Sequence, residues 1–84
     1  MSFSILPTKE FAKEFAKLDG RVRTRIKRKI DEVALDPTRY KRLQYDLAGS
    51  SRVWIGKLRV VFSYDLRKRE IYLENIVLDH KYRG

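Results

Sequence analysis

Between residues 52 and 62 the chain reads Arg52-Val53-Trp54-Ile55-Gly56-Lys57-Leu58-Arg59-Val60-Val61-Phe62. Two alternating runs flank Gly56-Lys57, and a two-residue loop opening on Gly is a hairpin signal. A loop of that length permits one pairing: Ile55 opposite Leu58, Trp54 opposite Arg59, Val53 opposite Val60, Arg52 opposite Val61. Side chains alternate across a sheet with period two. Val53, Ile55, Leu58, Val60 and Phe62 then share one apolar face, while Arg52, Trp54 and Arg59 share the other. An Arg inside an apolar run, facing a Trp across the ladder, is the residue that needs explaining. It is either a solvated side chain stacked on an aromatic ring, for about 0.5–1 kcal/mol, or a charge placed for use.

The segments around this hairpin supply its cover. Phe3 to Leu6 reads as a first strand, with Phe3 and Ile5 on one face and Pro7 ending it or holding it at an edge. Thr8 is an N-cap residue, and Glu10 in the first turn suits the helix dipole. Helix spacing of Phe11, Phe15 and Leu18, with Ala12 and Ala16 beside them, predicts a helix from Lys9 to Leu18. Asp19-Gly20 makes a turn. A second helix, Arg21 to Leu35, carries the stripe Val22, Ile26, Ile30 and Val33 and closes at Asp36-Pro37. Two helices with one apolar stripe each form an αα-hairpin lying on a sheet. The rest of the second helix is basic: Arg21, Arg23, Arg25, Lys27, Arg28 and Lys29. Such a face is either merely solvated or a contact for phosphate, with Arg25 and Arg28 as the candidate contacts.

Tyr40, Leu43, Tyr45 and Leu47 are apolar anchors in a weaker pattern that ends at the turn Gly49-Ser50-Ser51. The third strand continues to Tyr64, a polar loop spans 65–69, and a fourth strand runs from Glu70 to Val77. Ile71, Leu73 and Val77 fit its core face, and Tyr72, Glu74, Ile76, Leu78 and His80 have the opposite parity. Asn75 breaks that alternation, which points to a bulge or a change of register. The expected fold is α+β, one domain over 1–84: a small twisted antiparallel sheet with an N-terminal helical hairpin on one face.

Charge narrows the partners. Twenty Lys and Arg stand against 11 Asp and Glu, a net charge of +9. That excess favours an anionic partner. There is no Cys, which fits a cytoplasmic protein. No apolar run approaches the roughly 20 residues that span a bilayer, and the N-terminus lacks the pattern of a signal peptide. Neither a membrane nor a cofactor is expected. Metal catalysis is disfavoured, because His80 is the only His and the acids show no clustered ligand spacing.

The order of strand, helical hairpin and antiparallel strands, with Leu43, Gly49, the 52–62 run and His80-Lys81, resembles the RelE/ParE toxin superfamily. Its members commonly carry a Leu-x-Gly-like step, then a basic-x-basic-apolar-Gly-x-aromatic-Arg-apolar-apolar-aromatic run, then a His-Arg step. Arg52, Ile55, Gly56, Arg59, Val60, Val61 and Phe62 match the central run. Leu43 and Gly49 stand farther apart than the compact step. The RelE-like branch implies a metal-independent endoribonuclease that cuts mRNA on the ribosome and is held inactive by a cognate antitoxin protein. Two alternatives stay open: a ParE-like toxin that inhibits DNA gyrase without nuclease activity, and an inactive basic RNA-binding domain.

RNA cleavage without a metal uses the neighbouring 2′-OH as nucleophile. It needs help in removing that proton, in stabilising the pentavalent phosphate and in protonating the leaving oxygen. By resemblance Arg59 takes the phosphate, with a guanidinium that is always charged and forms two parallel bonds. A structural pair with Glu74 is its competing role. Arg52 would hold substrate phosphate; permanent protonation makes it a poor base. Trp54 stands where the best-known members have a second Lys, and offers a stacking surface for a base instead. His80, with an ordinary pKa near 6.5, suits proton transfer. Lys81 replaces the usual Arg, and Tyr82 lies nearer the His than the family's catalytic or stacking Tyr. The catalytic set expected is Arg59, His80 and Arg52; Trp54, Lys81, Tyr82, Arg25 and Arg28 would bind substrate.

Overall fold

The computed structural model describes residues 2–40 and 50–78. Leu43, Tyr45, Leu47, Gly49, His80, Lys81 and Tyr82 lie outside the described residues. Within them the chain runs β1 (Ser4–Pro7), α1 (Lys9–Ala16), α2 (Gly20–Leu35), a single 3₁₀ turn (Pro37–Arg39), β2 (Ser51–Ile55), β3 (Leu58–Asp65) and β4 (Glu70–Leu78). The expected α+β fold is the observed one.

The helix boundaries follow from their caps. Thr8 Oγ1 accepts a hydrogen bond from the Phe11 amide at 3.2 Å, and Asp19 Oδ1 accepts one from Val22 at 3.0 Å. Both satisfy amides that a first helical turn leaves without partners. Asp19 is therefore the cap of α2, and Gly20 its first residue. Helix α1 ends at Ala16, short of Leu18, where the amides of Lys17 and Leu18 bond back three residues to Glu14 and Phe15. The stripe of α2 is buried as its spacing predicts: Ile26, Ile30 and Val33 are inside, and Val22 packs against them.

The hairpin pairing is the one read from the sequence, from Ile55↔Leu58 to Arg52↔Val61. Gly56 takes φ +62° at the first loop position, as a type II′ turn requires. Strands β2, β3 and β4 form an antiparallel meander, and the sheet order is β1-β4-β3-β2. Strand β1 joins β4 in parallel, so the sheet is mixed, which corrects the expectation of a wholly antiparallel one. The chain leaves β1 through the helical hairpin and re-enters the sheet at the far edge. The third strand of the meander then arrives beside β1 pointing the same way. Pro7, which cannot donate to a ladder, closes the edge strand β1.

Val53, Ile55, Val60 and Phe62 are buried on the face that meets the helices, as expected, and Leu58 is half-buried. The fourth strand corrects one expectation. Val61 pairs with Asn75 but Phe62 pairs with Leu73, so Glu74 is an extra residue in β4. A bulge of one residue reverses the parity beyond it. Ile76, not Val77, therefore enters the core; Val77 stands opposite Arg59 on the far face. The bulge falls beside Asn75, where the alternation breaks.

Two long-range contacts fasten α1 to β4. The Thr8 amide donates to Leu73 O at 3.0 Å, and the Thr8 hydroxyl lies 2.8 Å from the same oxygen. Farther along, where β1 has ended, the Glu14 carboxylate accepts the Ile76 amide at 2.7 Å. A helix side chain there takes over a bond that a neighbouring strand would have made.

Candidate nucleic-acid interface

The sheet face turned away from the helices carries the polar half of the hairpin. Arg59 and Trp54 are direct cross-strand partners, and the guanidinium carbon lies 5.6 Å from the Trp54 ring centroid. Trp54 is 42% exposed, so the stack leaves part of it open to a ligand. Arg59 Nε is buried and has no hydrogen-bond partner among the described residues. A desolvated guanidinium N–H without an acceptor is costly, and an incoming anion would relieve that cost. Arg52 lies on the same face of β2 by its pairing with Val61, half-buried.

The Arg59–Glu74 pair is not formed. Glu74 Oε1 accepts from Ser50 Oγ at 3.1 Å and its Oε2 from Ser63 Oγ at 2.8 Å. Both oxygens of the one acid on the bulge are thus engaged by hydroxyls. Lys29 and Glu32 form an ion pair at 3.3 Å. The far face is consequently divided: cations and an aromatic ring toward the hairpin tip, and Ser63, Glu74 and Tyr72 toward the other end. Tyr72 is an unsuitable proton acceptor. Its hydrogen bond to Glu70, with some burial and the charges of Glu70 and Asp65, pushes its phenol up to about 12. It stays protonated at neutral pH.

Arg25 and Arg28 come to the same end of the molecule from α2. With Lys29, Glu32, Trp54, Ile55 and Gly56 they line a shallow cleft of about 320 Å³ between the helix and the hairpin tip. Arg25 packs against the turn: a Cβ built on Gly56 would lie 3.7 Å from Arg25 Nη2. The guanidinium thus lies beside the turn at ordinary van der Waals distance. Neither Arg25 nor Arg28 has a hydrogen-bond or ion-pair partner among the described residues. Trp54 belongs both to this cleft and to the stack with Arg59.

The structure thus brings Arg25, Arg28, Trp54 and Arg59 together, with Arg52 two residues from Trp54 along the same face of β2. His80, Lys81 and Tyr82 lie outside the described residues. Lys29 and the Ser50–Glu74–Ser63 cluster are not among the expected site residues. Lys29 was legible in principle, because positions 25, 28 and 29 share one side of a helix. The Ser–Glu cluster was not, since it joins residues 50, 63 and 74 from three separate segments.

Comparison with solved structures places the fold. The chain is similar to one in the toxin–antitoxin complex RelBE2 from Mycobacterium tuberculosis, with a TM-score of 0.83 and 17% identity, over 94% of this chain and 100% of that chain. Against the intact E. coli RelBE toxin–antitoxin complex the TM-score is 0.81 and the identity 20%, over 93% and 98% of the two chains. Against the isolated E. coli RelE toxin it is 0.81 with 18% identity, over 92% and 84%. The chain has the RelE fold. No protein-family model and no curated protein matches it. Among the described residues no helix is long and apolar enough to cross a membrane.

Proposed function

We propose that this chain, built on the RelE fold, is the toxin of a toxin–antitoxin pair: a metal-independent endoribonuclease that cuts mRNA on the ribosome in the cytoplasm and is restrained by a cognate antitoxin. The observation that carries the reading is Arg59. Its guanidinium stands on the far sheet face with no acid neutralising it among the described residues, one N–H without an acceptor, and an exposed indole beside it.

In this mechanism the 2′-OH of one nucleotide attacks the adjacent phosphorus and the 5′-oxygen leaves. Arg59 donates to the non-bridging oxygens as charge builds on them. Arg52 holds a neighbouring phosphate, and Trp54 stacks on a base and limits its rotation. His80 moves the proton, with Lys81 and Tyr82 beside the substrate. The two proton transfers fall to groups other than Arg52 and Arg59, which stay protonated, and other than Tyr72, whose phenol stays bound to Glu70.

A brief pulse of expression in cells followed by mapping of mRNA 5′ ends tests the reading. Cuts inside translated codons, absent with Arg59→Ala, support it. Intact messages with gyrase–DNA breaks would overturn it in favour of gyrase poisoning. Intact messages and intact DNA would leave a basic RNA-binding domain.

A further inference from the structure

The cleft between α2 and the hairpin tip is not needed to hold the scissile phosphate, yet it shares Trp54 with the face that would. Its charge is specific in kind. Lys29 is matched by Glu32 at 3.3 Å, and Glu32 faces the same cleft, so the two together add little net charge. Arg25 and Arg28 are left without partners among the described residues, on a chain of net charge +9. Two guanidiniums beside an aromatic edge fit phosphate followed by a stacked base, which is the repeating chemistry of a single nucleic-acid strand. An acidic peptide would satisfy the charges but has nothing that requires the indole.

We propose that the cleft is a second phosphate site, and that one RNA strand passes from Arg25 and Arg28 over Trp54 to Arg59. This rests on the reading of Arg59 as a phosphate-binding residue and adds the course of the strand. Trp54 is the junction: its ring separates the two phosphate sites and takes the base between them. The hairpin turn borders the site, since a Cβ at Gly56 would stand in ordinary van der Waals contact, 3.7 Å, from Arg25 Nη2. The cleft sets how much of the message beyond the cut contributes to binding, whereas Arg59 acts at the cut itself.

Binding of labelled 2′-O-methyl oligoribonucleotides, which lack the nucleophile, tests this by fluorescence anisotropy across a salt series. A hexanucleotide reaches both sites; a dinucleotide reaches only one. With Arg25→Gln/Arg28→Gln the log–log salt slope for the hexanucleotide should become shallower by about 0.7, for the one phosphate that is no longer neutralised. The dinucleotide, which fills one site at a time, should bind the double variant only through Arg59 and Trp54. Trp54→Ala should weaken the hexanucleotide by roughly fivefold or more. An unchanged hexanucleotide slope in the double variant overturns the strand path. So does a hexaglutamate peptide whose affinity depends on Arg25 and Arg28 when the oligonucleotide's does not; that result assigns the cleft to an acidic protein. Failure of the Arg59 reading shows separately, as dinucleotide binding to the double variant that adding Arg59→Gln leaves unchanged. If the double variant melts, Arg28→Gln alone carries the same test, with a smaller slope change in the same direction.

Discussion

Arg59 is flanked by Trp54 across the ladder on one side and by Val77 on the other. Neither can neutralise it, and Glu74 is held by two serines. Arg59→Ala should therefore cost little stability, on the order of the 0.5–1 kcal/mol of the indole stack, because no core side chain rests on it. In the proposed mechanism it removes a preorganised donor worth about 2.7–4 kcal/mol. Cleavage of ribosome-bound message should fall by more than about a hundredfold, with the thermal melt nearly unchanged. Lys at 59 should restore only part of the rate, since an ammonium lacks the planar fork. A variant that unfolds would make Arg59 structural; one that cuts at the wild-type rate would remove it from the chemistry. Tyr72 offers an independent check of the far face. Its phenol is held protonated to about 12 against an ordinary 10.0, chiefly by its bond to Glu70. The proton is bound more tightly in the fold than in the unfolded chain. Its contribution to stability is present below about pH 10 and lost as pH rises toward 12. Absorbance titrations at about 295 nm of the wild type and Tyr72→Phe should differ by one phenol ionising near pH 12, and Glu70→Gln should move that ionisation to lower pH.

At the scale of elements, the molecule depends on a few side chains that end one segment and begin the next. Thr8 caps α1 while its hydroxyl and amide reach Leu73 O, so one residue ties helix start to sheet centre. Thr8→Ala should cost about 1–2 kcal/mol, read as a shift in the urea midpoint, and Thr8→Ser should recover most of it. Glu14 serves the open edge of β4 in the same way. Removing its carboxylate should speed hydrogen exchange at the Ile76 amide more than at residues of β3, because only that amide loses its acceptor. The turn carries its own constraint. Gly56→Ala meets no close atom, since Arg25 Nη2 would lie 3.7 Å away. Its φ of +62° nonetheless disfavours any side chain, so the substitution should cost about 1–2 kcal/mol through the backbone alone. An unaffected midpoint would mean that the loop relaxes to a different turn.

The whole molecule is a small chain carrying +9. Among the described residues the buried apolar side chains form one cluster between α1, α2 and one sheet face. A folded state of this size gains measurably from a partner that binds only the native form. At a hundredfold excess over Kd such a partner adds about 2.7 kcal/mol. The proposed antitoxin should therefore raise the melting temperature and bury at least roughly 1,200 Å² in total. Equal melting temperatures with and without a saturating antitoxin would argue against that interface. Ribosome affinity should fall steeply with salt, and reversing Arg25 and Arg28 to Glu should weaken it without unfolding, because both lie off the buried stripe of α2.

What the sequence determined by itself was local. The hairpin register followed from a two-residue loop and a period of two, and the α2 stripe from helical spacing. The Thr8 cap followed from a hydroxyl standing before a helical pattern. The RelE-like order of elements, and Arg59 beside Trp54, were legible for the same reason: each depends on residues a few positions apart. The tertiary structure decided what depends on distant segments meeting. The parallel direction of β1 came from where the helical hairpin returns the chain. The bulge at Glu74 moved Ile76 into the core and Val77 out of it, although alternation alone assigned them the other way. The neighbour of Arg59 is Trp54 and not Glu74, whose carboxylate oxygens accept from Ser50 and Ser63. Arg25, Arg28 and Trp54 met only because α2 packs against the hairpin tip. A period repeats within one segment and can be read there; a contact between segments carries no period, and its partners are fixed only when the chain closes on itself.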